Sequence, residues 1–272
     1  MTEVVTEAEL PELLALAVDA ARSASELILS GFRSPTLVVD RKSDGSPVTR
    51  FDREAEKTIR SFLARNQPRS WPVFGEELGG GDQPTPYRWV VDPIDGTLAF
   101  SRGLPTFGTL LAFEDVAAKR ALVGVIHLPA MKETYSAARA LGAWCGARRL
   151  AVATERPLGE CLISAPPAHQ FELAGVSEAH GLLRSQVPHL RCFADCWAHA
   201  MVASGPIDAV AEFNLARWDI AASEVIIEEA GGRVLIRAAR EVRGKYDLIL
   251  GSPNAAADVA RLLNFRDDFR DR

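Results

Sequence analysis

The chain has 272 residues, a formal net charge of −5 and a sequence pI of about 5.6, and 47% of its residues are hydrophobic. This composition is ordinary for a globular protein with a large core, and its acidic balance disfavours a general nucleic-acid or anionic-membrane binding surface. We therefore expect neither nucleic acid nor membrane as a partner. No apolar run approaches the ~18 residues needed to cross a bilayer.

The N-terminal segment predicts an amphipathic helix rather than a signal peptide, because acidic residues precede its apolar stretch. Its apolar residues from Leu10 to Ile28 recur at helical spacing, and Gly31 marks a stop. The four cysteines form no CxxC motif and have no accompanying histidine pattern, which disfavours a zinc site. We interpret them as reduced, mostly buried thiols of a cytoplasmic protein.

Beyond this helix, the first half of the chain predicts a second helix and several strands. Residues 36–40 (TLVVD) and 71–74 (WPVF) have strand composition, and residues 52–68 predict a helix of mixed charge closed by Pro68. From Tyr87 onwards the runs YRWVV, FGTLLAF, ALVGVIHL and ETYSAAR follow one another with short turns. These runs predict an antiparallel or mixed sheet.

The second half of the chain alternates predicted strands and helices. In chain order they are ECLISA, a helix near Phe171 to Arg184, HLRCF, CWAHAMVASG, PIDAVAEF, WDIAASEVIIEEAGG, YDLILGS and AAADVARLLNF. Such alternation predicts a layered α/β (α+β) fold. Because no repeat separates two units, we expect one domain over residues 1–272, with an N-terminal α+β half (about 1–150) and a C-terminal α/β half (about 151–272).

Four acidic segments carry the candidate chemistry. They are KSDGSPVTRFDREAE around Asp52, GEE at 75–77, DPIDGT at 92–97 and WDIAASE at 218–224. Each has a structural interpretation when taken alone. Asp-Pro and Asp-Gly are turn dipeptides, Asp52 and Asp219 can cap the helices that they begin, and the glutamate pair can be a solvated loop.

Their positions favour a joint role. Asp92, Asp95 and Asp219 lie at the ends of apolar segments or at a helix start, where their side chains can converge in a crevice. Converging carboxylates repel one another, and hard divalent cations neutralise them through oxygen ligands. The absence of histidine from all four segments favours magnesium over zinc.

The Gly96-Thr97 pair directly after Asp95 indicates an anion site. If a short helix begins there, its free N–H groups point into the same crevice, and glycine allows close approach. Carboxylates for metals beside amides for an anion are typical of phosphoryl transfer, and the Thr97 hydroxyl group can orient a water molecule. The i, i+3 spacing of Asp92 and Asp95 excludes the Asp-x-Asp-Gly-Thr nucleophile motif of haloacid dehalogenase-type phosphatases.

Together the four segments resemble the inositol monophosphatase superfamily of Mg²⁺-dependent, lithium-sensitive phosphomonoesterases, in its order and spacing, from about residue 10 to 260. The resemblance implies a layered αβαβα sandwich, a homodimer and two or three Mg²⁺ ions per active site. It also implies the site residues. Glu76 and Asp92 with the Ile94 carbonyl group would bind one metal, and Asp92, Asp95 and Asp219 a second.

The same resemblance assigns catalytic roles. Thr97, oriented by Asp52, would position the attacking water beside the metal ligand Glu76, and the Gly96 and Thr97 amides would bind phosphate. Glu77 would support the metal ligands.

The stretches FSRGLPTFGTLLAF, DCW at 195–197 and EFNLARWD at 212–219 resemble the histidinol-phosphatase branch of that superfamily. This implies hydrolysis of histidinol phosphate in histidine biosynthesis. Asp195 and Glu212 would suit the ammonium and imidazole groups of this substrate. Asp195 could equally cap a helix, and Arg102 is either a substrate contact or part of a surface salt bridge.

Two alternatives remain. A polyol would accept the same carboxylates, so the substrate could be an inositol phosphate or another sugar phosphate. The second alternative is a catalytically silent regulatory relative. The presence of every inferred ligand and of Thr97 argues against it.

Overall fold

The computed structural model describes residues 4–43, 45–80 and 84–269. The N-terminal helical layer consists of α1 (Leu10–Ser23), α2 (Ser25–Gly31) and α3 (Arg50–Asn66). The prediction of a single helix over residues 10–28 is wrong, because the helix is interrupted at Ala24 between two serines. The Ser23 hydroxyl group donates to the Ala20 carbonyl group (2.7 Å), and serine side chains compete in this way with helical hydrogen bonding.

The strand predicted over residues 36–40 is wrong for most of its length. Only a short hairpin forms, with β1 at Asp40–Arg41 paired to β2 at Pro47–Val48. In the described part of the chain no third strand joins this pair. Val38 and Val39 therefore have no sheet to pack in and remain exposed.

The first large sheet has seven strands and carries the DPIDGT segment. The strands are β3 (Val73–Gly75), β4 (Tyr87–Asp95), β5 (Gly108–Asp115), β6 (Arg120–Leu128), β7 (Glu133–Ala138), β8 (Gly142–Cys145) and β9 (Arg148–Arg149). They lie in chain order, with β3 parallel to β4 and the later neighbours antiparallel. The predicted mixed sheet is confirmed, and β8 and β9 extend it beyond the prediction.

The second large sheet has five strands in the order β11-β10-β12-β14-β13. They are β10 (Leu162–Ser164), β11 (His189–Arg191), β12 (Ala209–Leu215), β13 (Arg233–Ala238) and β14 (Tyr246–Gly251). β13 is absent from the predicted elements. Its partner β14 pairs with it along all six residues, so long-range pairing stabilises this strand.

Six further α-helices lie in the part of the chain that the structure describes. They are α4 (Thr97–Ser101), α5 (Ala168–Leu173), α6 (Ser177–Gln186), α7 (Asp195–Ser204), α8 (Arg217–Glu229) and α9 (Pro253–Leu262). The helix predicted near 171–184 is instead two helices, α5 and α6. Gly175 separates them with a backbone φ of +69°, a left-handed conformation that ends a helix.

The layers follow from which faces are buried. Trp89 and Val91 of β4 pack with α1 and α3, whereas Val90 points to the opposite face of the sheet, into a core shared with α7, α8 and the second sheet. A third core lies between the outer face of that second sheet and α5, α6 and α9. The layered αβαβα sandwich is therefore confirmed.

All four cysteines are free, but only Cys161 and Cys196 are buried, so the prediction of mostly buried thiols holds for two. Cys145 is half-buried and Cys192 is exposed. Over the ranges that the structure describes, no helix combines the length and apolar character needed to cross a membrane.

Candidate active site

Three aspartates from distant parts of the chain meet between the two sheets. Asp92 and Asp95 lie at the end of β4, and Asp219 lies in the first turn of α8. One carboxylate oxygen from each lies within 4.8 Å of the others. The structure thus brings together the three residues predicted to converge.

The end of β4 is irregular, and this irregularity aims the two aspartates. The register with β5 shifts between Asp92 and Asp95, where Pro93 has no N–H group to donate. The Pro93 carbonyl group instead accepts a hydrogen bond from the Thr109 hydroxyl group (2.9 Å), and the Ile94 N–H group donates to Asp92 Oδ1 (3.1 Å). These two hydrogen bonds stabilise the turn where the regular pairing with β5 is interrupted.

The other two carboxylates are held by helix starts. The Cys196 N–H group at the start of α7 donates to Asp95 Oδ2 (2.5 Å), and the Ala216 N–H group before α8 donates to Asp219 Oδ2 (2.7 Å). Asp219 is therefore both a helix cap and a member of the cluster. The two interpretations offered by the sequence are compatible, since each carboxylate has a second oxygen.

The cluster is electrostatically unfavourable without a counter-charge. Burial raises the pKa of Asp92 well above its usual range, and the charges of Glu76 and Asp95 raise it further. Burial and the charge of the neighbouring Asp195 raise the pKa of Asp95 well above its usual range. Burial and the charge of Glu76 raise the pKa of Asp219 to about 7. Buried, mutually repelling oxygen donors with no nitrogen or sulfur among them fit a hard divalent cation.

Glu76 lies on the same cavity wall, where Lys42 neutralises it. The Lys42 ammonium group lies 2.6 Å from Glu76 Oε1 and 2.5 Å from Glu77 Oε1. Glu77 is almost fully buried beside it. Burial alone would lower the pKa of Lys42, but the two carboxylates outweigh that effect and raise it.

Glu56 supports this loop and is a residue that the sequence analysis did not single out. Its fully buried side chain accepts hydrogen bonds from Arg60 Nε and from the Glu77 N–H group, both at 2.7 Å. A Cβ atom on Gly75 would lie 2.1 Å from Glu56 Oε1, so only glycine fits there. In the sequence, the indication for Glu56 was its i, i+4 spacing from Asp52, which places both residues on one face of α3.

Thr97 and Asp52 also meet as predicted. The Thr97 hydroxyl group lies 3.0 Å from Asp52 Oδ1 and 3.0 Å from the Ile94 carbonyl oxygen. Asp52 Oδ2 accepts from both the N–H and the hydroxyl group of Thr49, which closes the capping box of α3. Burial raises the pKa of Asp52, although the bonds from Thr49 oppose the shift.

The predicted short helix after the DPIDGT turn is confirmed as α4. Gly96 precedes it with a backbone φ of +80°, a conformation that favours glycine. The first N–H groups of a helix have no intrahelical acceptor, so the Gly96-Thr97 end of α4 presents donors to the cavity that both residues line.

A cavity of about 140 Å³ connects these groups to a second acidic wall. Its lining comprises the carboxylate cluster, the DPIDGT turn and residues of α7 and β12: Glu76, Asp92, Ile94, Asp95, Gly96, Thr97, Asp195, His199, Glu212, Leu215 and Asp219. Asp195 adopts a φ of +60°, which is uncommon for a residue other than glycine. Burial and the Glu212 charge raise the pKa of Asp195 to about 6.

Arg102 lies outside the lining of this cavity. It borders an adjoining depression together with Val39, Arg41 and Leu98. His199 and Lys42 are further members of the site that the sequence analysis did not assign. Lys42 stands in the KSDG stretch, and its position there was the only signal for it.

The family profile described as the inositol monophosphatase family matches residues 9–266 of this sequence. The chain belongs to that family. Inositol monophosphatase family proteins are metal-dependent phosphatases, which agrees with the acidic cluster at the end of β4. This protein is accordingly a phosphatase of the inositol monophosphatase family.

Two related sequences and one solved structure illustrate how similar this chain is to known proteins. A histidinol-phosphatase of Mycobacterium tuberculosis is 36% identical over 226 residues, which cover 81% of this chain and 86% of the relative. The Nus factor SuhB of Pseudomonas aeruginosa is 35% identical, with coverage of 82% and 84%. The solved structure of an IMPase from Thermotoga maritima superposes with a TM-score of 0.80 at 26% identity, covering 93% of this chain and 97% of that one.

Proposed function

We propose that this protein is a Mg²⁺-dependent phosphomonoesterase that hydrolyses histidinol phosphate to histidinol and phosphate. The observation that carries the proposal is the second acidic wall. Asp195 and Glu212 line the same cavity of about 140 Å³ as the metal-type carboxylate cluster. A site for an anionic phosphate group thus adjoins a site for a cationic remainder.

The carboxylate cluster is the proposed cation site. Glu76, Asp92 and the Ile94 carbonyl group would hold one Mg²⁺ ion, and Asp92, Asp95 and Asp219 a second. The proposal is two or three Mg²⁺ ions per active site. Bound cations would neutralise charge on the ester and supply Lewis acidity to the hydrolysis.

The chain itself supplies the orientation of water. The Thr97 hydroxyl group has one proton, which it gives to Asp52 or to the Ile94 carbonyl oxygen. Its lone pairs can therefore accept a hydrogen bond from water. Burial raises the pKa of Asp52. A carboxylate with a raised pKa accepts a proton more readily, and here the proton would reach it through Thr97.

The Gly96-Thr97 end of α4 is the proposed phosphate site, because the first N–H groups of a helix have no intrahelical acceptor and can bind an anion. Water attacks phosphorus there and gives up one proton towards Thr97 and Asp52, the phosphorus–oxygen ester bond breaks, and the leaving alkoxide takes up a proton from solvent water to become the alcohol. Glu76, which lines the same cavity, would act with Thr97 and Asp52 as the third catalytic residue.

The position of Asp195 favours an ester whose positive charge lies close to phosphorus. A Cβ atom on Gly96 would lie 3.1 Å from Asp195 Oδ2, so this carboxylate lies directly against the proposed phosphate site. An anion there would repel phosphate unless a cation lay between them. The ammonium group of histidinol phosphate would lie near its ester oxygen, and the imidazole would extend towards Glu212.

A broad inositol-phosphate or sugar-phosphate esterase is the second candidate, since hydroxyl groups could bind the same two carboxylates. The similarity to the IMPase of Thermotoga maritima favours it. For either substrate we propose a cytoplasmic, lithium-sensitive homodimer, and for histidinol phosphate a role in histidine biosynthesis. Arg102 remains a proposed contact only for a substrate that extends past the cavity rim.

Phosphate release from a panel of esters tests the substrate. We expect histidinol phosphate to exceed inositol 1-phosphate, fructose bisphosphate and 3′-phosphoadenosine 5′-phosphate by at least tenfold in kcat/KM with Mg²⁺, and Li⁺ to inhibit. Asp195→Asn should lower kcat/KM for histidinol phosphate by about 10–100-fold, in line with loss of a charge-assisted hydrogen bond. Asp258→Asn, a surface aspartate paired with Arg261, is the matched control.

A preference of orders of magnitude for another ester would overturn the substrate and leave the phosphatase assignment intact. An Asp195→Asn variant that retains full activity on histidinol phosphate would remove the cation site from the proposal.

A further inference from the structure

One buried side chain in the cavity wall has no role in the proposed hydrolysis. His199 lies on α7, exposes only 2% of its surface and still lines the cavity. Its Nε2 atom lies 2.9 Å from Glu212 Oε2, and its Nδ1 atom lies 2.7 Å from the Ser223 hydroxyl oxygen. Three elements, α7, β12 and α8, thus meet at one imidazole ring.

The chemistry of Glu212 defines the direction of one of these bonds. An ionised carboxylate only accepts hydrogen bonds, so His199 Nε2 must carry the proton that bonds to Glu212. In the neutral ring Nδ1 is then an acceptor, and the Ser223 hydroxyl group donates to it. Ser223 is fully buried, so its hydroxyl group has no solvent to bond instead.

This arrangement leaves one oxygen of Glu212 available. Within the described ranges, Glu212 Oε1 has no hydrogen-bond or ion-pair partner, whereas Oε2 is bound to His199. A free glutamate side chain samples several rotamers and loses that freedom when it binds a ligand. A glutamate already held by one oxygen presents the other with less entropic cost, which is the general advantage of preorganisation.

We propose that His199, itself oriented by Ser223, is a positioning residue that fixes Glu212 Oε1 towards the organic part of the ester. The pair thereby sets the preference of the site for a ligand that carries a nitrogen donor. This inference rests on the proposed function for the identity of that ligand. It assigns to His199 and Ser223 a part in substrate selection and none in the attack on phosphorus.

A purely structural role is the competing explanation, because buried histidines with two satisfied nitrogens also occur in ordinary cores. The two explanations differ in what a substitution changes. Loss of a core contact lowers stability and affects all substrates alike. Loss of positioning raises KM for the ester that binds Glu212, with a smaller effect on kcat.

The test compares His199→Met, which keeps the side-chain volume but has no donor, with His199→Gln, whose amide can donate to Glu212. The substrates are histidinol phosphate and glycerol phosphate, an ester without a cationic nitrogen. We expect His199→Met to lower the ratio of kcat/KM for histidinol phosphate to that for glycerol phosphate at least tenfold, mainly through KM. His199→Gln should recover most of that ratio, and Ser223→Ala should lower it about threefold.

Two controls make the result specific. His180→Met places the same substitution on α6, where His180 packs against Phe171 far from the cavity lining, and should leave the ratio unchanged. In a protein that already carries Glu212→Gln, His199→Met should change the KM for histidinol phosphate by less than twofold. The reason is that the effect of His199 passes through Glu212. Independent, multiplicative effects of the two substitutions would overturn the inference, as would an equal loss for both esters.

The failure of the proposed function would look different. If wild-type protein turns over histidinol phosphate no better than glycerol phosphate, the substrate proposal fails. The double-substitution comparison is then made on the ester that the wild type prefers. There, non-multiplicative KM effects of His199→Met and Glu212→Gln support positioning, and multiplicative effects refute it.

Discussion

The hydroxyl group of Thr97 lies 3.0 Å from Asp52 Oδ1, although the two residues are 45 positions apart in the chain. Asp52 belongs to the first turn of α3 and Thr97 to the first turn of α4. The second oxygen of Asp52 is already bound by Thr49, so the carboxylate cannot rotate away. Two helix starts therefore form one rigid hydrogen-bonded pair at the cavity.

This pair predicts a specific effect of losing the hydroxyl group. Thr97→Val keeps the shape of the side chain but leaves Asp52 Oδ1 without its partner and the water without its acceptor. We expect kcat to fall by about 10²–10³-fold, the usual scale for proton-transfer assistance, with little change in KM. Thr97→Ser should retain most activity, and steady-state kinetics with Mg²⁺ would measure both variants. Equal losses in the serine and valine variants would contradict the role of the hydroxyl group.

Asp92→Asn is expected to stabilise the protein while abolishing its activity. The raised pKa of Asp92 means that its charged form is less favourable in the folded than in the unfolded state, so at neutral pH the metal-free protein is destabilised. Removing that charge should raise the free energy of unfolding without metal by about 1–3 kcal/mol. Thermal unfolding in EDTA would show the increase.

The same variant should respond less to metal. Wild-type protein is expected to gain stability on addition of Mg²⁺, because a ligand that binds only the folded state shifts the equilibrium towards it. Asp92→Asn should lose most of that gain. A variant that Mg²⁺ stabilises as much as the wild type would remove Asp92 from the proposed ligand set.

Lys42 is expected to compete with the cation for Glu76. Its ammonium group lies 2.6 Å from Glu76 Oε1, where a ligand oxygen would be needed. Lys42→Met removes a positive charge from beside the proposed metal site, so the dissociation constant for Mg²⁺ should fall at least threefold. Isothermal titration calorimetry measures this directly, and Lys57→Met on the exposed face of α3 is the control. Weaker Mg²⁺ binding in Lys42→Met would show that Lys42 organises the loop instead.

His127 predicts a pH dependence of stability away from the active site. Burial and the nearby Arg22 charge lower the pKa of His127 to about 4, and its ring bonds to the hydroxyl groups of Ser25 and Thr134. Because the folded-state pKa lies below the ordinary value of 6.5, the unfolded state binds the proton more readily. The contribution to stability is therefore complete above pH 6.5 and is lost as the pH falls towards 4.

Urea unfolding across this pH range would measure the effect. Between pH 7 and 4.5 the wild type should lose roughly 2 kcal/mol more than His127→Gln, given about 1.4 kcal/mol per pH unit for one proton. His189→Gln, at an exposed position, should follow the wild type. Parallel pH profiles for wild type and His127→Gln would show that His127 does not titrate in this way.

Short motifs around the cavity were predictable from the sequence, whereas several helix and strand boundaries were not. The turn in DPIDGT, the short helix α4 and the capping box of Asp52 all depend on neighbouring residues, which a sequence displays directly. The helix break at Ala24 and the separation of α5 from α6 depend on one or two local hydrogen bonds or a single glycine. Such small energies are easily missed when apolar periodicity is strong.

Other parts of the site gave no local signal. Glu56 lies in a helix of mixed charge and resembles a surface residue until Arg60 and the Glu77 N–H group are seen to surround it. His199 lies among apolar residues in the middle of α7, and its function in the wall depends on partners 13 and 24 positions away. The residue pattern within one segment of the chain does not show which other segment will pack against it.

The amino-acid sequence by itself determined the family, the acidic ligand types and the geometry within each short motif, because spacing along a strand, turn or helix is set by covalent geometry and local hydrogen bonds. Only the tertiary structure decided that α7 binds Asp95 through Cys196, 101 positions away, and that Glu212 keeps one oxygen without a partner among the residues described. Those arrangements arise from the packing of two sheets against α7 and α8. Burial there makes each unpaired charge costly and so determines which carboxylates need a partner.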